Sequence, residues 1–79
     1  MDVNVKKIKR IKDVFMVLDA AHKKSAKKKI AEKFNVAEDS VNNRWIYKGE
    51  IPEKYIEGTL KIVKAVANTQ KNKIEKLIA

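Results

Sequence analysis

Apolar residues recur at intervals of three and four positions along most of the chain, and this spacing is typical of amphipathic helices. The first such stretch runs from Val5 to Ala21 and predicts one helix. Its apolar positions are Ile8, Ile11, Val14, Phe15, Leu18 and Ala21. The outer face between them carries Lys6, Lys7, Lys9, Arg10 and Lys12. One side of this helix is therefore expected to face a core, while the other side carries positive charge.

A polar stretch, residues 22–25, follows, and a second helix is predicted after it with Ser25 as its N-cap. The apolar side of this helix is formed by Ile30, Ala31 and Phe34. We expect the helix to end at Asn35, because asparagine tolerates the left-handed backbone conformation that closes many helices.

A third helix is predicted to begin near Glu38, Asp39 and Ser40, since acidic and hydroxyl side chains favour a helix start. Val41 and Trp45 are its apolar positions, one turn apart, and Trp45 is expected in the core. The connection to the second helix is so short that the two helices must cross steeply.

Gly49 is the expected end of the third helix, and Pro52 is expected in the first turn of a final one. The apolar stripe of this last helix comprises Tyr55, Ile56, Leu60, Val63, Val66 and Ala67. Ile74, Leu77 and Ile78 continue nearly the same phase. The sequence leaves open whether the tail is one long helix or two helices broken near residues 68–69.

The corner between the second and third helices resembles the helix-turn-helix of the lambda repressor and Cro family. In that family a small residue is followed three positions later by a large apolar one, then by Gly and Val, and five positions past that Val by Ile or Val. This chain has Ala31, Phe34, Asn35, Val36 and Val41 at those places, with Asn instead of Gly. The run WIYKGEIPEKYI, residues 45–56, is similar to a Trp-x-x-x-Gly-x-Ile-Pro-x-x-Tyr pattern of phage repressors in the family. The Val41 to Trp45 spacing is one residue longer than is common there.

The resemblance covers about residues 14–67 and implies a compact all-α domain of four or five helices that binds double-stranded DNA. It also implies that a recognition helix near residues 38–47 reads the major groove. Asparagine side chains suit adenine, whereas carboxylates suit only a cytosine amino group or serve to cap the helix. The family's base-contacting places fall on Glu38, Asp39, Asn42 and Asn43.

The charge of the chain points to the same kind of partner. Lysine and arginine number 19 against 10 acidic residues, a net charge of +9, and residues 1–34 alone hold 11 basic and 4 acidic residues. Such an excess favours a polyanion such as nucleic acid, although a solvated basic face explains the charge equally well. Lysines around a predicted helix N-terminus would bind phosphate together with backbone amides, and Lys27 holds the family's phosphate-contacting place. The predicted phosphate contacts are Lys23, Lys24, Lys27, Lys28, Arg44 and Lys48.

Several classes of function find no support in the sequence. There is no cysteine, His22 is the single histidine, and no Gly-rich phosphate loop or acidic motif is present, so no enzyme activity, metal, cofactor or small-molecule substrate is predicted. No apolar run reaches the roughly 18 residues of a membrane span. The first helix needs its apolar side for the core, which disfavours a membrane surface as its partner. A cytoplasmic, nucleoid-associated protein is expected.

The leading hypothesis is a sequence-specific transcriptional regulator of the phage or bacterial repressor type, in which residues 1–79 form one domain. A homodimer is expected to bind an operator, with residues 69–79 as a candidate oligomerisation helix. Ile74, Leu77 and Ile78 would then meet a second copy, or fold back on the first helix. Two alternatives remain: an architectural or excision-type DNA-binding accessory protein, and a protein-interaction module.

Overall fold

The computed structural model describes the backbone of residues 2–78, and the side chains of residues 4–73 and of Leu77. Its elements are α1 (Asp2–Met16), α2 (Ala20–Phe34), α3 (Glu38–Ser40), a π-helix (Val41–Tyr47) and α4 (Glu53–Ile78). Because α3 runs directly into the π-helix, the two are called segment 38–47 below. The predicted all-α, compact architecture is confirmed, with four helical segments in the described part of the chain.

The first predicted helix, Val5 to Ala21, is in fact two helices joined by a corner. α1 ends at Met16, and the amides of Val17 and Leu18 close its last turn by donating to carbonyl oxygens three residues earlier, at 3.2 and 3.1 Å. Leu18 is nevertheless buried, so the apolar spacing continues across the corner and the sequence pattern does not reveal where α1 ends. Ala21, predicted to be in the core, is exposed in the first turn of α2.

Asp19, not Ser25, caps α2. Its Oδ1 accepts a hydrogen bond from the backbone amide of His22 at 2.8 Å, and the His22 ring Nδ1 lies at the same distance from that oxygen. The predicted polar break at residues 22–25 is wrong, because these residues lie inside α2. A carboxylate one turn before that amide, followed by two alanines, starts the helix well before Ser25.

The corner between α2 and segment 38–47 is only three residues long, as expected. Asn35 ends α2 in the left-handed conformation, with φ 54° and ψ 51°. The carbonyl oxygen of Ala31 accepts hydrogen bonds from the amides of Asn35 and Val36, the latter at 3.0 Å. Val36 packs against the core, so the corner is held by both its backbone and its apolar side chain.

The π-helix changes which side chains of segment 38–47 face the core. Val41, Trp45 and Ile46 are all buried, whereas the sequence pattern predicted only Val41 and Trp45. In an α-helix Ile46 would lie far around the helix from Val41. In a π-helix the hydrogen bonds are of the i→i+5 type, and each turn contains more residues than in an α-helix. Trp45 and Ile46 therefore lie on either side of the line along the helix through Val41, and all three face the core. The longer spacing in the sequence is thus accommodated by a wider helix.

Gly49 and Pro52 mark the turn into α4 as predicted. Gly49 has φ +71°, and a Cβ there would lie 3.1 Å from Cγ2 of Ile8, so both its conformation and its surroundings suit glycine. α4 follows as one helix of 26 residues. The helix continues through Thr69, whose Oγ1 donates to the carbonyl oxygen of Ala65 at 3.0 Å. The alternative of two helices broken near residues 68–69 is therefore wrong.

α1 and α4 lie side by side and run in the same direction. Lys7 Nζ contacts Glu57 Oε1 at 2.5 Å near the start of both helices. At the other end, Gln70 accepts a hydrogen bond from the amide of Asp19 at 2.7 Å and donates one to the carbonyl oxygen of Val17 at 3.1 Å. The core lies between this pair, α2 and the π-helix. Its buried apolar members are Ile11, Phe15, Leu18, Ala26, Ile30, Ala31, Val41, Trp45, Ile46, Ile51, Ile56, Leu60, Val63 and Val66. Among residues 2–78, no helix combines the length and apolar character needed to cross a membrane.

Candidate nucleic-acid interface

Segment 38–47 carries all four predicted base-contacting side chains away from its buried side. Glu38, Asp39 and Asn43 are exposed, and Asn42 is half-buried. Nδ2 of Asn42 donates to Oδ1 of Asn43 at 3.2 Å, which leaves the Asn42 oxygen and the Asn43 amide group available to a ligand. The two carboxylates lie in the first turn, where they favour the helix dipole.

A cluster of three aromatic rings, one of them from segment 38–47 itself, lies on the buried side of this segment. Phe34 at the end of α2 lies 6.0 Å from Trp45 of the π-helix and 4.4 Å from Tyr55 of α4, measured between ring centroids. Trp45 and Tyr55 stack at 5.6 Å. Gly58 makes room for Phe34, because a Cβ on Gly58 would lie 2.6 Å from the Phe34 ring. Through Trp45, segment 38–47 therefore packs against aromatic rings of two other helices, α2 and α4.

Ser25 lies inside α2 and does not begin a helix, which corrects the basis of the phosphate prediction for Lys27 and Lys28. Lys27 and Lys28 lie in the middle of α2, and Asp19 already accepts from an amide of the first turn. Backbone amides and these lysines therefore do not converge on one phosphate position. Lys24 and Lys28 are exposed one turn apart and remain available as side-chain contacts, while Lys27 is half-buried.

Lys23 differs from the other α2 lysines in its surroundings. It is half-buried, and its Nζ lies 5.9 Å from the ring centroid of Phe15, within cation–π range. This contact turns the ammonium group toward α1. Of the predicted phosphate contacts, Lys23 is the one whose ammonium group contacts a core side chain of the protein, Phe15.

Arg44 and Lys48, the other predicted phosphate contacts, are exposed at the end of segment 38–47. Lys48 and Tyr47 also line a cleft of about 340 Å³ whose opposite wall is α1. Lys9 and Lys12 stand on that wall. The sequence placed these two lysines on the outer face of the first helix, but it did not show that they meet the end of the candidate recognition segment.

The Lys7–Glu57 ion pair and the Asp19–His22 hydrogen bonds lie beside this surface. The Lys7 ammonium donates a hydrogen bond to Glu57 and lowers the pKa of that carboxyl group, with further help from its positive charge. The pKa of Asp19 is also lowered, first because the backbone amide of His22 donates to it and then because the His22 ring does so. Both carboxylates serve to hold the helices in place.

The predicted oligomerisation residues lie at the end of α4. Leu77 is 78% exposed, and the preceding residues 71–73 are exposed as well. The side chains of Ile74 and Ile78 lie outside the described residues. The fold-back of this end onto α1 receives no support from Leu77, because its side chain faces solvent.

Within the described part of the chain, no group of three or more histidine, aspartate and glutamate side chains could hold a metal ion. No protein-family model, curated protein or solved structure matches the chain. The interpretation of this surface therefore rests on its own geometry and charge.

Proposed function

We propose that this protein is a sequence-specific regulator that binds double-stranded DNA, with segment 38–47 in the major groove. One observation carries the proposal. The segment is anchored by three buried apolar residues, and its polar side chains Glu38, Asp39 and Asn43 are exposed, with Asn42 half-buried beside them. To read base edges, a helix needs one side packed on the core and another side that presents polar side chains.

The flanking charges favour a nucleic acid over a protein partner. Arg44 and Lys48 follow the polar side chains directly, and Lys24 and Lys28 stand exposed on the helix before the corner. Phosphate contacts of this kind orient a protein on the duplex, while side chains between them read the bases. The short corner at Asn35 supports a helix-turn-helix of the lambda repressor type, with a wider second helix.

Pairing of two copies belongs to the same proposal. One domain of this size offers a small recognition surface, and a two-fold dimer would place two such segments in successive major grooves of a pseudo-palindrome. The end of α4 supplies an exposed apolar side chain, Leu77, and the described residues 71–73 before it are exposed as well. We propose this end as the pairing surface.

Selection of preferred sites from random duplexes, followed by fluorescence anisotropy, tests base reading. We expect Asn42→Ala and Asn43→Ala each to cost about 1–3 kcal/mol on the selected site and much less on random DNA, because only base contacts discriminate. Asn68→Ala, exposed on α4 before the proposed pairing surface, is the matched control and should change neither affinity. Equal losses on both DNAs would remove the reading role from that asparagine.

Footprinting and salt titration of the same complexes decide between this proposal and its competitors. A regulator protects one discrete two-fold site, whereas an architectural or excision-type protein protects repeats or an extended tract. If no salt-sensitive binding to any duplex is found, the proposal is wrong and a protein-interaction role takes its place.

A further inference from the structure

The cleft between α1 and the end of segment 38–47 has basic side chains around an apolar floor. Ile8 is half-buried and Ile46 is buried, and both line it. Lys9 and Lys12 extend from α1, and Lys48 from the other wall. The remaining lining residues are Val5, Tyr47 and Gly49, so no carboxylate among the described side chains lines the cleft.

The three lysines of the cleft have no ion-pair partner among the described residues. Lys7, only two positions before Lys9, is neutralised by Glu57. Among the described residues the fold thus pairs the α1 lysine that faces α4 and gives the cleft lysines no ion pair, although Lys9 also lines a neighbouring groove that contains Asp13. Three like charges at one cleft repel one another, and an anion bound there would reverse that cost.

We propose that this cleft binds the sugar-phosphate backbone of the same duplex that segment 38–47 reads, so that α1 forms part of the interface. The inference rests on the proposed function, and it adds two lysines and a tyrosine to the contact surface. Lys48 connects the two regions, because it follows segment 38–47 directly and also lines the cleft.

The chemistry of the cleft suits a nucleic-acid backbone. Ammonium groups bind phosphate oxygens, and the Tyr47 hydroxyl, on a side chain that is 49% exposed, can donate to another. The apolar floor of Ile8 and Ile46 gives the deoxyribose a surface to pack on. Lysines stand on both walls of the cleft, so a backbone strand lying in it would have an ammonium group on either side.

A matched pair of double variants on α1 tests the inference with a duplex of arbitrary sequence. Lys9→Ala with Lys12→Ala removes two charges from the cleft, while Lys6→Ala with Arg10→Ala removes two charges from the neighbouring groove of α1, which shares only Lys9 with the cleft. We expect the first pair to reduce the slope of log K against log salt by about one unit per lysine, and the second pair to leave it close to wild type. Equal slopes for the two double variants would overturn the inference.

Amine-reactive labelling of the full-length chain gives a direct second measurement. A saturating duplex should protect Lys9, Lys12 and Lys48 from labelling and leave Lys6 reactive. If Lys9 and Lys12 stay reactive while the duplex is bound, the cleft does not contact the backbone, and an acidic peptide becomes the partner to test.

The failure of this inference is distinguishable from failure of the proposed function. If the wild-type chain shows no salt-dependent duplex binding, both are wrong. If binding is salt-dependent and Lys24→Ala with Lys28→Ala lowers the slope, but the cleft variant does not, only the role of α1 is wrong.

Discussion

Thr59 is the one buried polar side chain among the residues whose burial is described. It is fully inaccessible, and its Oγ1 has no hydrogen-bond partner in the described part of the chain. A hydroxyl group taken out of water without a partner costs free energy of folding. At this position the fold therefore loses stability that an apolar side chain of the same shape would retain.

We expect Thr59→Val to raise the free energy of unfolding by about 1 kcal/mol, because valine fills the same space without a hydroxyl to desolvate. Urea denaturation followed by circular dichroism measures the change. Thr69→Val is the matched control on the same helix: its hydroxyl is bonded to the carbonyl oxygen of Ala65 and is exposed, so no gain is expected. A loss at Thr59 would mean that its hydroxyl has a partner in solution.

Single residues with a strong backbone preference were predictable from the sequence. Asn35 and Gly49 both have positive φ where a helix end was expected, because the left-handed conformation is a local property of the residue type. The burial of Trp45 also followed from its place on the apolar side. The unpartnered state of Thr59 did not follow, since it depends on what surrounds the side chain in three dimensions.

At the level of elements, the start of α2 depends on a titrating cap. The pKa of Asp19 is lowered from its ordinary value of 3.8 by the hydrogen bonds from His22. The unfolded chain therefore binds a proton at this group more readily than the folded chain does. The contribution of the cap to stability is complete above the unfolded pKa and is lost as the pH falls through the lower, folded value.

Asp19→Asn should accordingly weaken the dependence of stability on pH below about 4, because asparagine still caps the helix but does not titrate. The measurement is the thermal midpoint between pH 2 and pH 6. Glu57→Gln serves as a second reference, since the pKa of Glu57 is lowered in the same direction by Lys7. If the Asp19→Asn variant and the wild type lose stability in parallel on acidification, protonation of Asp19 does not contribute to the pH dependence of stability.

Elements were predictable where the pattern and a local signal agreed, as for α4 after Pro52. They were not where tertiary contacts overrode the pattern. Leu18 preserved the helical spacing through a corner, and burial of Ile46 required a wider helix. The cleft between Lys9, Lys12 and Lys48 depends on how α1 and segment 38–47 pack together, and no single stretch of sequence carries that information.

At the scale of the whole molecule, Gln70 joins α4 to the corner between α1 and α2. Its amide group bonds to backbone atoms on both sides of that corner, at Asp19 and Val17. α4 continues for two further turns beyond this point. Up to Gln70, α4 thus packs on the core and bonds to the corner. The residues after Gln70 are candidates for the proposed pairing of two copies.

Two truncations should separate these roles. A chain ending at Asn68 loses the Gln70 bonds, and we expect its free energy of unfolding to fall by about 1–3 kcal/mol. A chain ending at Lys73 should unfold at nearly the wild-type urea concentration but bind a selected operator more than about tenfold more weakly, through loss of pairing. Sedimentation with and without operator checks the assembly. If the full-length protein stays monomeric on its operator, the end of α4 is not a pairing surface.

The parallel packing of α1 on α4 has a consequence for synthesis. The bonds that join α1 and the corner after it to α4 link residues 50, 51 and 53 positions apart in the chain. At about 5–20 residues per second, α1 is synthesised on the order of 3–12 s before α4 is complete. During that interval Ile11 and Phe15 have no α4 to cover them, and we expect the lysines that alternate with them to keep the nascent chain from aggregating. The basic face of α1 would then act before the protein has folded.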